Sequence, residues 1–177
     1  MTSFIEANEF AISDLTTIGS IRFWEFEPSL AFAGSVYWSF NTNNAGVPGT
    51  PLFTGLASNV SHAATGLSVS GFPEYVNTFS IPAALLPVGV YWLELHNGPL
   101  SNMSSPPNLF WETTSATTGL GSAYLYEPFT GAFHRSGSST ENAFVLYAIP
   151  EPSIWALLGV GLAGLGAALR LRSRAIR

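Results

Sequence analysis

The stretch T-I-G-S-I-R-F-W-E-F, residues 17–26, decides the fold class of this chain. Its side chains alternate between two faces, as they do along a β-strand. One face carries Ile21, Phe23 and Glu25. The other face carries Arg22, Trp24 and Phe26. Aromatic and β-branched residues dominate the stretch, and such residues favour strands. We therefore predict a strand here, with one face turned toward a core.

Similar short apolar bursts follow along the chain, separated by Gly, Pro, Asn and Ser. Strands are predicted near residues 8–12, 34–41, 52–57, 67–70, 75–81, 89–96, 109–113, 123–127 and 143–149. The cluster at residues 41–51, with its Asn, Gly and Pro, predicts a turn. Residues 82–86 favour a helical turn, and residues 101–108 and 136–142 favour long loops. The predicted fold is all-β, an antiparallel jelly-roll-like β-sandwich over residues 1–149.

Composition and charge exclude several classes of protein. Of the 177 residues only 10% are charged, the net charge is -5, and cysteine is absent. Residues 1–149 hold two Arg against ten acidic residues, so this part is not a nucleic-acid binder. Without cysteine, neither a thiol nucleophile nor a disulfide framework is available.

The C-terminal segment differs sharply from the rest of the chain. Residues 154–169 contain no polar or charged side chain, and Arg170, Arg172, Arg174 and Arg177 follow. Sixteen helical residues span about 24 Å, which is short of a bilayer core of roughly 30 Å but near enough for a thinned membrane. The Arg cluster places the tail on the cytoplasmic side and residues 1–150 outside. We predict one C-terminal transmembrane helix over residues 154–169.

The candidate anchor residues include four glycines, and three of these, Gly159, Gly161 and Gly164, also spell the G-x-G-x-x-G nucleotide-binding fingerprint. The full set of candidate anchor residues is Trp155, Leu157, Leu158, Gly159, Gly161, Gly164 and Gly166. No strand precedes this G-x-G-x-x-G pattern and no acidic residue follows it, so we interpret it as small-residue packing in lipid. A buried core helix is the alternative.

A rigid, extended tetrapeptide stands directly before the apolar run: Pro150, Glu151, Pro152 and Ser153. This motif, the following W-A-L-L-G-x-G-L-A-G-L-G and the Arg cluster together resemble the PEP-CTERM sorting signal of Gram-negative bacteria. The resemblance covers residues 150–177: motif 150–153, membrane helix 154–169 and Arg-rich tail 170–177. It implies exosortase as a partner, a transient stage in the inner membrane, and delivery to the cell surface or the medium. The β-rich part ahead is similar to ectodomains that precede this signal.

Substrates of this kind carry an N-terminal signal peptide. Residues 1–10 lack a basic and an apolar region, and Glu6 and Glu9 interrupt any such pattern. We therefore expect an upstream signal peptide to be missing from this sequence.

Candidate catalytic and metal-binding patterns are weak. Asp14 is the single Asp, there is no G-x-S-x-G motif, and His62, His96 and His134 form no ligand pair, so we predict no catalytic residue, cofactor or metal site. Glu25 and Glu27 share a strand face about 7 Å apart, which suits an inverting glycosidase pair in principle. Two solvated acids at a strand end are the commoner arrangement, and alternation assigns Glu94 to solvent as well.

The aromatic residues leave one binding hypothesis open. Of Trp24, Trp38, Trp92 and Trp111 we expect at least three between the sheets, and Trp24 alone on the surface. An exposed indole can stack on a sugar ring. The leading interpretation is an exported, non-enzymatic structural or adhesive protein. The alternatives are a module that binds extracellular polysaccharide through Trp24, and an unrecognised glycosidase or esterase.

Overall fold

Antiparallel strands form the regular structure of the protein. The computed structural model describes residues 1, 4–28, 31–102, 109–114, 124–127, 132–135 and 141–150. In these residues the strands are β1 (Ile5–Ile12), β2 (Thr16–Phe26), β3 (Val36–Asn43), β4 (Pro48–Ala57), β5 (Ser61–Val69), β6 (Phe72–Leu86), β7 (Gly89–Asn97), β8 (Phe110–Trp111), β9 (Thr113–Thr114), β10 (Tyr124–Glu127), β11 (Ala132–Arg135), β12 (Glu141–Asn142) and β13 (Phe144–Ala148). A single 3-10 turn, Leu100–Asn102, is the helical element of these ranges. The all-β prediction is confirmed.

The strands form two main sheets. The first sheet has the order β11-β10-β1-β7-β3-β4, and the second has the order β13-β2-β6-β5, with β8 beside β2. Strand β9, which follows β8 in the chain, pairs with β12, which precedes β13, and these two strands form a small separate sheet. Every paired strand is antiparallel to its neighbour. Strand β2 is central, because β6 pairs along one edge and β13 and β8 share the other.

The core lies between the inner faces of these sheets. Phe10 of β1 meets Phe144 of β13 across the interface, with ring centroids 6.2 Å apart in an edge-to-face arrangement. The second sheet contributes Ile18, Ile21, Phe23, Phe79, Ile81 and Trp111, and the first contributes Phe10, Trp38, Phe40, Tyr91, Leu93 and Leu95. The alternation predicted for residues 17–26 thus turns Ile21 and Phe23 into the core, where neither is accessible to solvent.

The outer face of the first sheet also buries apolar residues. Trp92 is fully buried and packs with Ala7, while Val47 and Phe133 lie against them. Trp38 and Trp111 lie in the core as expected. The expectation that at least three Trp lie between the sheets is wrong for Trp92, because Tyr91 and Leu93 on either side of it face the core and alternation turns it outward.

Most predicted strands are present, with three differences. The predicted helical turn at residues 82–86 is wrong, since β6 runs without interruption to Leu86. The pairing of β6 with β2 shifts between Ile18 and Ser20, and this irregularity accommodates Pro82, which cannot donate to a ladder. Strand β11 was not predicted, and the expected loop over residues 136–142 is wrong at its end, where β12 forms. Strand β9 overlaps the predicted strand 109–113 only at Thr113. Strands of two to four residues, such as β9, β11 and β12, are too short to show a two-residue periodicity in the sequence.

Truncating Phe23 should remove the centre of the core. Its ring lies 6.4 Å from that of Phe79 and 6.1 Å from that of Trp111, centroid to centroid. We expect Phe23→Ala to lower the free energy of unfolding by about 3–5 kcal/mol, because a large buried side chain leaves a cavity. Val88→Ala, at a position 68% exposed, is the control and should change it by less than about 0.5 kcal/mol. If denaturant titration gave equal losses of unfolding free energy for Phe23→Ala and Val88→Ala, the placement of Phe23 at the centre of the core would be contradicted.

Candidate functional site

Two buried carboxylates continue the inward-facing row of β2. Glu25 is 0% exposed and Glu27 is 1% exposed. The backbone N–H of Glu27 donates to the carbonyl of Pro73 at 3.0 Å, so the pairing with β6 extends past the end of the strand. The interpretation of these two residues as solvated acids at a strand edge is therefore wrong. Since β2 is central and its alternation persists, the carboxylates follow Phe23 into the space between the sheets.

An imidazole from the neighbouring β5 lies between the two carboxylates. His62 is opposite Asn77 in the pairing of β5 with β6, which directs both side chains to the inner face. The Nδ1 atom of His62 is 3.6 Å from Oε1 of Glu25, and its Nε2 atom is 3.5 Å from Oε2 of Glu27. Asn77 Oδ1 lies 2.9 Å from His62 Nδ1. We call Glu25, Glu27 and His62 the carboxylate–histidine cluster.

Two aromatic rings hold the imidazole in place. Phe32 stacks on one face of His62 with centroids 4.4 Å apart and planes at 8°. Tyr75 stacks on the other face at 4.3 Å and 9°. A ring clamped on both faces keeps its orientation, so the two nitrogens of His62 point along fixed directions in the plane of the stack.

The segment that carries Phe32 is fastened by polar side chains. The backbone N–H of Phe32 donates to Oε1 of Glu27 at 2.5 Å. Asn97 accepts from the N–H of Ala33 at 2.8 Å and donates to the carbonyl of Ala31 at 2.9 Å. The end of β7 and the end of β2 therefore position residues 31–33 as a cover over the cluster.

The electrostatics of the cluster are unusual for a protein interior. Burial raises the pKa of Glu25 to about 8, with the charge of Glu27 as a smaller contribution and the nearby Asn77 side chain as a partial offset. Both carboxylate oxygens of Glu25, Oε2 of Glu27 and Nδ2 of Asn77 are buried without a hydrogen-bond partner. Buried polar atoms are normally paired. This corner of the sandwich thus holds two carboxyl groups with oxygens that lack hydrogen-bond partners, and burial favours the neutral form of Glu25.

The same geometry argues against an inverting glycosidase pair at Glu25 and Glu27. One oxygen of each carboxylate and one nitrogen of His62 all lie within 4.8 Å of one another. Inverting pairs are separated by about 6.5–9.5 Å so that water and a sugar fit between them. Both carboxylates are also sealed from solvent, so a polysaccharide chain cannot reach them.

Trp24 lies on the opposite face of β2, in an open recess on the outside of the second sheet. The indole is half-buried. The recess has a volume of about 470 Å³ and is lined by Trp24, Leu67, Glu74, Glu112, Thr113, Thr114 and Ala143. Partial burial, followed by the charge of Glu74, raises the pKa of Glu112. The recess therefore combines one aromatic surface with hydroxyl and carboxyl groups.

Glu94 is buried and does not face solvent as the alternation suggested. It is 6% exposed, on the outer face of the first sheet with Trp92, and burial raises its pKa to about 7 while a hydrogen bond with Asn41 partly offsets this. Asn41 also accepts from the hydroxyl of Ser39 at 2.6 Å. Alternation assigned Glu94 to the correct face, but that face is covered.

The predicted sorting residues fall almost entirely beyond the described part of the chain. Pro150 is exposed at its end, directly after β13. Glu151, Pro152, Ser153, the anchor residues Trp155 to Gly166 and the four C-terminal Arg lie outside the described residues. Within the described ranges, no helix has the length and apolar character needed to cross a membrane.

The comparisons with known proteins concern this C-terminal region. Residues 148–173 match the model of the PEP-CTERM protein-sorting motif, which confirms the resemblance inferred from the sequence. The motif indicates a membrane-passing protein that exosortase processes and that is exported to the cell surface. No curated protein and no solved structure matches the chain.

The buried Glu94 should make stability depend on pH. Its pKa of about 7 in the folded state exceeds the value of 4.5 in the unfolded state, so the folded state binds more protons between these values. Stability contributed by the protonated carboxyl is present below pH 4.5 and is lost as pH rises toward 7. We expect Glu94→Gln to reduce the fall in unfolding free energy between pH 5 and 7.5, measured by denaturant titration. Asp14→Asn, at an exposed position, is the control and should keep the pH dependence of the parent. If Glu94→Gln also kept it, the raised pKa of Glu94 would be contradicted.

Proposed function

We propose that this chain is the precursor of a non-enzymatic structural or adhesive protein of the cell surface or extracellular matrix. The observation that carries the proposal is the PEP-CTERM match at residues 148–173, which begins at the last residue of β13. An all-β ectodomain ahead of such a signal suits a protein that is detached from the membrane and displayed outside the cell. In this proposal the ectodomain is jelly-roll-like.

The precursor would be held in the inner membrane by residues 154–169. Their uniform apolar character and the Arg residues that follow support a short helix with the tail in the cytoplasm. Proline disfavours helical backbone, so Pro150 and Pro152 would favour an extended segment ahead of the apolar run, a shape that a processing enzyme can bind. Exosortase would cleave near this motif and release the ectodomain.

The described ectodomain also supports a role without catalysis. Its two closely placed acids, Glu25 and Glu27, are inaccessible to a substrate. Asp14, which a Ser-His-Asp triad would need, is exposed in the turn between β1 and β2, where it accepts a hydrogen bond from Ser13. A glycosidase or esterase would need such groups at the wall of an open cleft.

Changing the sorting motif should block processing. We expect the triple variant Pro150→Ala, Glu151→Gln, Pro152→Ala to accumulate as a membrane-held, full-length precursor, because the extended acidic segment is lost. The measurement is fractionation of the host followed by intact mass of the chain in each fraction. The matched control, Pro51→Ala with Glu112→Gln, changes the same residue types in the ectodomain and should be processed normally. Normal release of the motif variant would refute the sorting role of these residues.

A second candidate function is binding of extracellular polysaccharide at the Trp24 recess. The half-buried indole and the adjacent Thr113, Thr114, Glu74 and Glu112 support it, because sugars present apolar ring faces for stacking and hydroxyls for hydrogen bonds. The recess is open, as the binding of a long glycan chain requires.

Removing the indole should then weaken glycan binding. We expect Trp24→Ala to reduce the affinity of the full-length protein, in detergent, for matrix polysaccharide of its host roughly tenfold, equivalent to about 1.4 kcal/mol. Tyr37→Ala removes an aromatic ring from the outer face of the other sheet and serves as the control. Affinity electrophoresis or calorimetry measures the change. Equal affinity of the Trp24 variant and the parent, or no binding by the parent, would exclude this second function.

A further inference from the structure

The carboxylate–histidine cluster joins three parts of the chain that are distant in sequence. Glu25 and Glu27 come from β2 and the residue after it, His62 comes from β5, and Phe32 closes the cluster from the β2–β3 connection. We propose that Glu25, Glu27 and His62 bind one divalent transition-metal ion, with Zn²⁺ as the best fit, in a structural site.

The strongest support is the set of carboxylate oxygens that have no hydrogen-bond partner and whose near neighbours include the His62 nitrogens, at 3.5–3.6 Å. Glu25 has two and Glu27 has one, and both side chains are more than nine-tenths buried. An ionised carboxylate in a protein interior is costly unless it is paired or coordinates a metal. Two such groups within 4.8 Å of each other add mutual repulsion to that cost. A divalent cation between them would remove both penalties.

The orientation of His62 fits a metal ligand. The Oδ1 atom of Asn77 can only accept, so the 2.9 Å contact requires the proton on Nδ1 of His62. With Nδ1 as the donor, Nε2 is the ring nitrogen whose lone pair can bind a metal, and it lies 3.5 Å from Oε2 of Glu27. Two lone pairs do not attract each other, but both can bind one cation. Metal-binding histidines characteristically donate their other ring N–H to a carbonyl or carboxylate, as His62 does here.

The spacing of the donor atoms suits a small cation. In a tetrahedral zinc site with bonds of about 2.0–2.2 Å, neighbouring ligand atoms lie about 3.3–3.5 Å apart. The separation of 3.5 Å between His62 Nε2 and Glu27 Oε2 agrees with this, and small movements of Glu25 would bring its oxygen from within 4.8 Å to the same range. Two carboxylates also neutralise a divalent charge completely.

The ligand chemistry favours Zn²⁺ over the common alkaline-earth cations. Ca²⁺ takes six to eight oxygen ligands, and Mg²⁺ prefers an octahedral set of oxygens that includes several waters. An imidazole nitrogen with two carboxylates is typical of zinc and its first-row neighbours. His62 is 21% exposed, so water could complete the coordination from that side.

A bound ion would fasten the corner of the sandwich. It would connect the central strand β2 to the edge strand β5 beneath the cover formed by residues 31–33. Glu27 already holds Phe32 through its other oxygen. Metal binding would therefore stabilise an ectodomain that has no disulfide.

The test uses the full-length protein in detergent, stripped with a chelator and then titrated with Zn²⁺ alone. We expect one Zn²⁺ per chain by calorimetry and a thermal midpoint several degrees higher with Zn²⁺ than with chelator. Glu25→Gln should weaken binding at least tenfold. It should also fold in the absence of metal, because the amide replaces a buried carboxyl of nearly the same shape. His62→Asn should weaken binding to a similar extent, and Asn77→Ala about 10–100-fold as the positioning residue.

Glu112→Gln is the matched control, since it changes a glutamate on the outer face of the sheet, and it should bind Zn²⁺ like the parent. Two results would overturn the proposal: no Zn²⁺ bound by the folded parent, or binding that persists unchanged in Glu25→Gln and His62→Asn. Neither of these results bears on processing at the sorting motif.

Discussion

The inward-facing row of β2 is the constraint on which the rest of the ectodomain depends. This strand pairs with β6 along one edge and with β13 and β8 along the other, so it fixes the second sheet. Its side chains Ile18, Ile21 and Phe23 are in the core and fully or almost fully buried. The first sheet packs against them through aromatic residues such as Phe10 and Phe40. Stability comes from this apolar contact, because the chain has no disulfide to contribute.

The same row explains why a polar cluster exists inside the sandwich. Alternation that buries Phe23 must also bury Glu25, and the continued pairing with β6 buries Glu27. Hydrophobic residues at these positions would fit the row and avoid the cost of burying charge. Glu27 instead anchors residues 31–33, and both acids face His62, which two rings clamp in one orientation. The polar corner is thus built with defined positions for each group, as a ligand site requires.

Much of the fold could be predicted from local patterns, while the cluster could not. Period-two alternation located β2, β3 and β7 because each has a long row of aromatic and branched residues. It also assigned the correct faces to Glu25 and Glu94. Alternation does not reveal what covers a face, so both glutamates were assigned to solvent. His62 and Asn77 meet only through the pairing of β5 with β6, and no spacing in the sequence encodes their distance from Glu25.

The C-terminal region shows the opposite relation between sequence and structure. Its motif, apolar run and Arg residues are contiguous, so the order of residues alone identified the sorting signal that the family model matches at residues 148–173. The ectodomain supplies the folded, stable cargo, and the signal supplies its destination. The two parts depend on different physics: one on pairing between distant strands, the other on a linear sequence motif.

The most direct test of this account is the intact mass of the wild-type protein recovered from the surface or medium of its own host. If exosortase processes the protein, the recovered chain ends at or close to the motif at residues 150–152 and lacks the apolar run and the Arg-rich tail. A chain that retains all residues to Arg177 and stays in the membrane fraction would contradict this account.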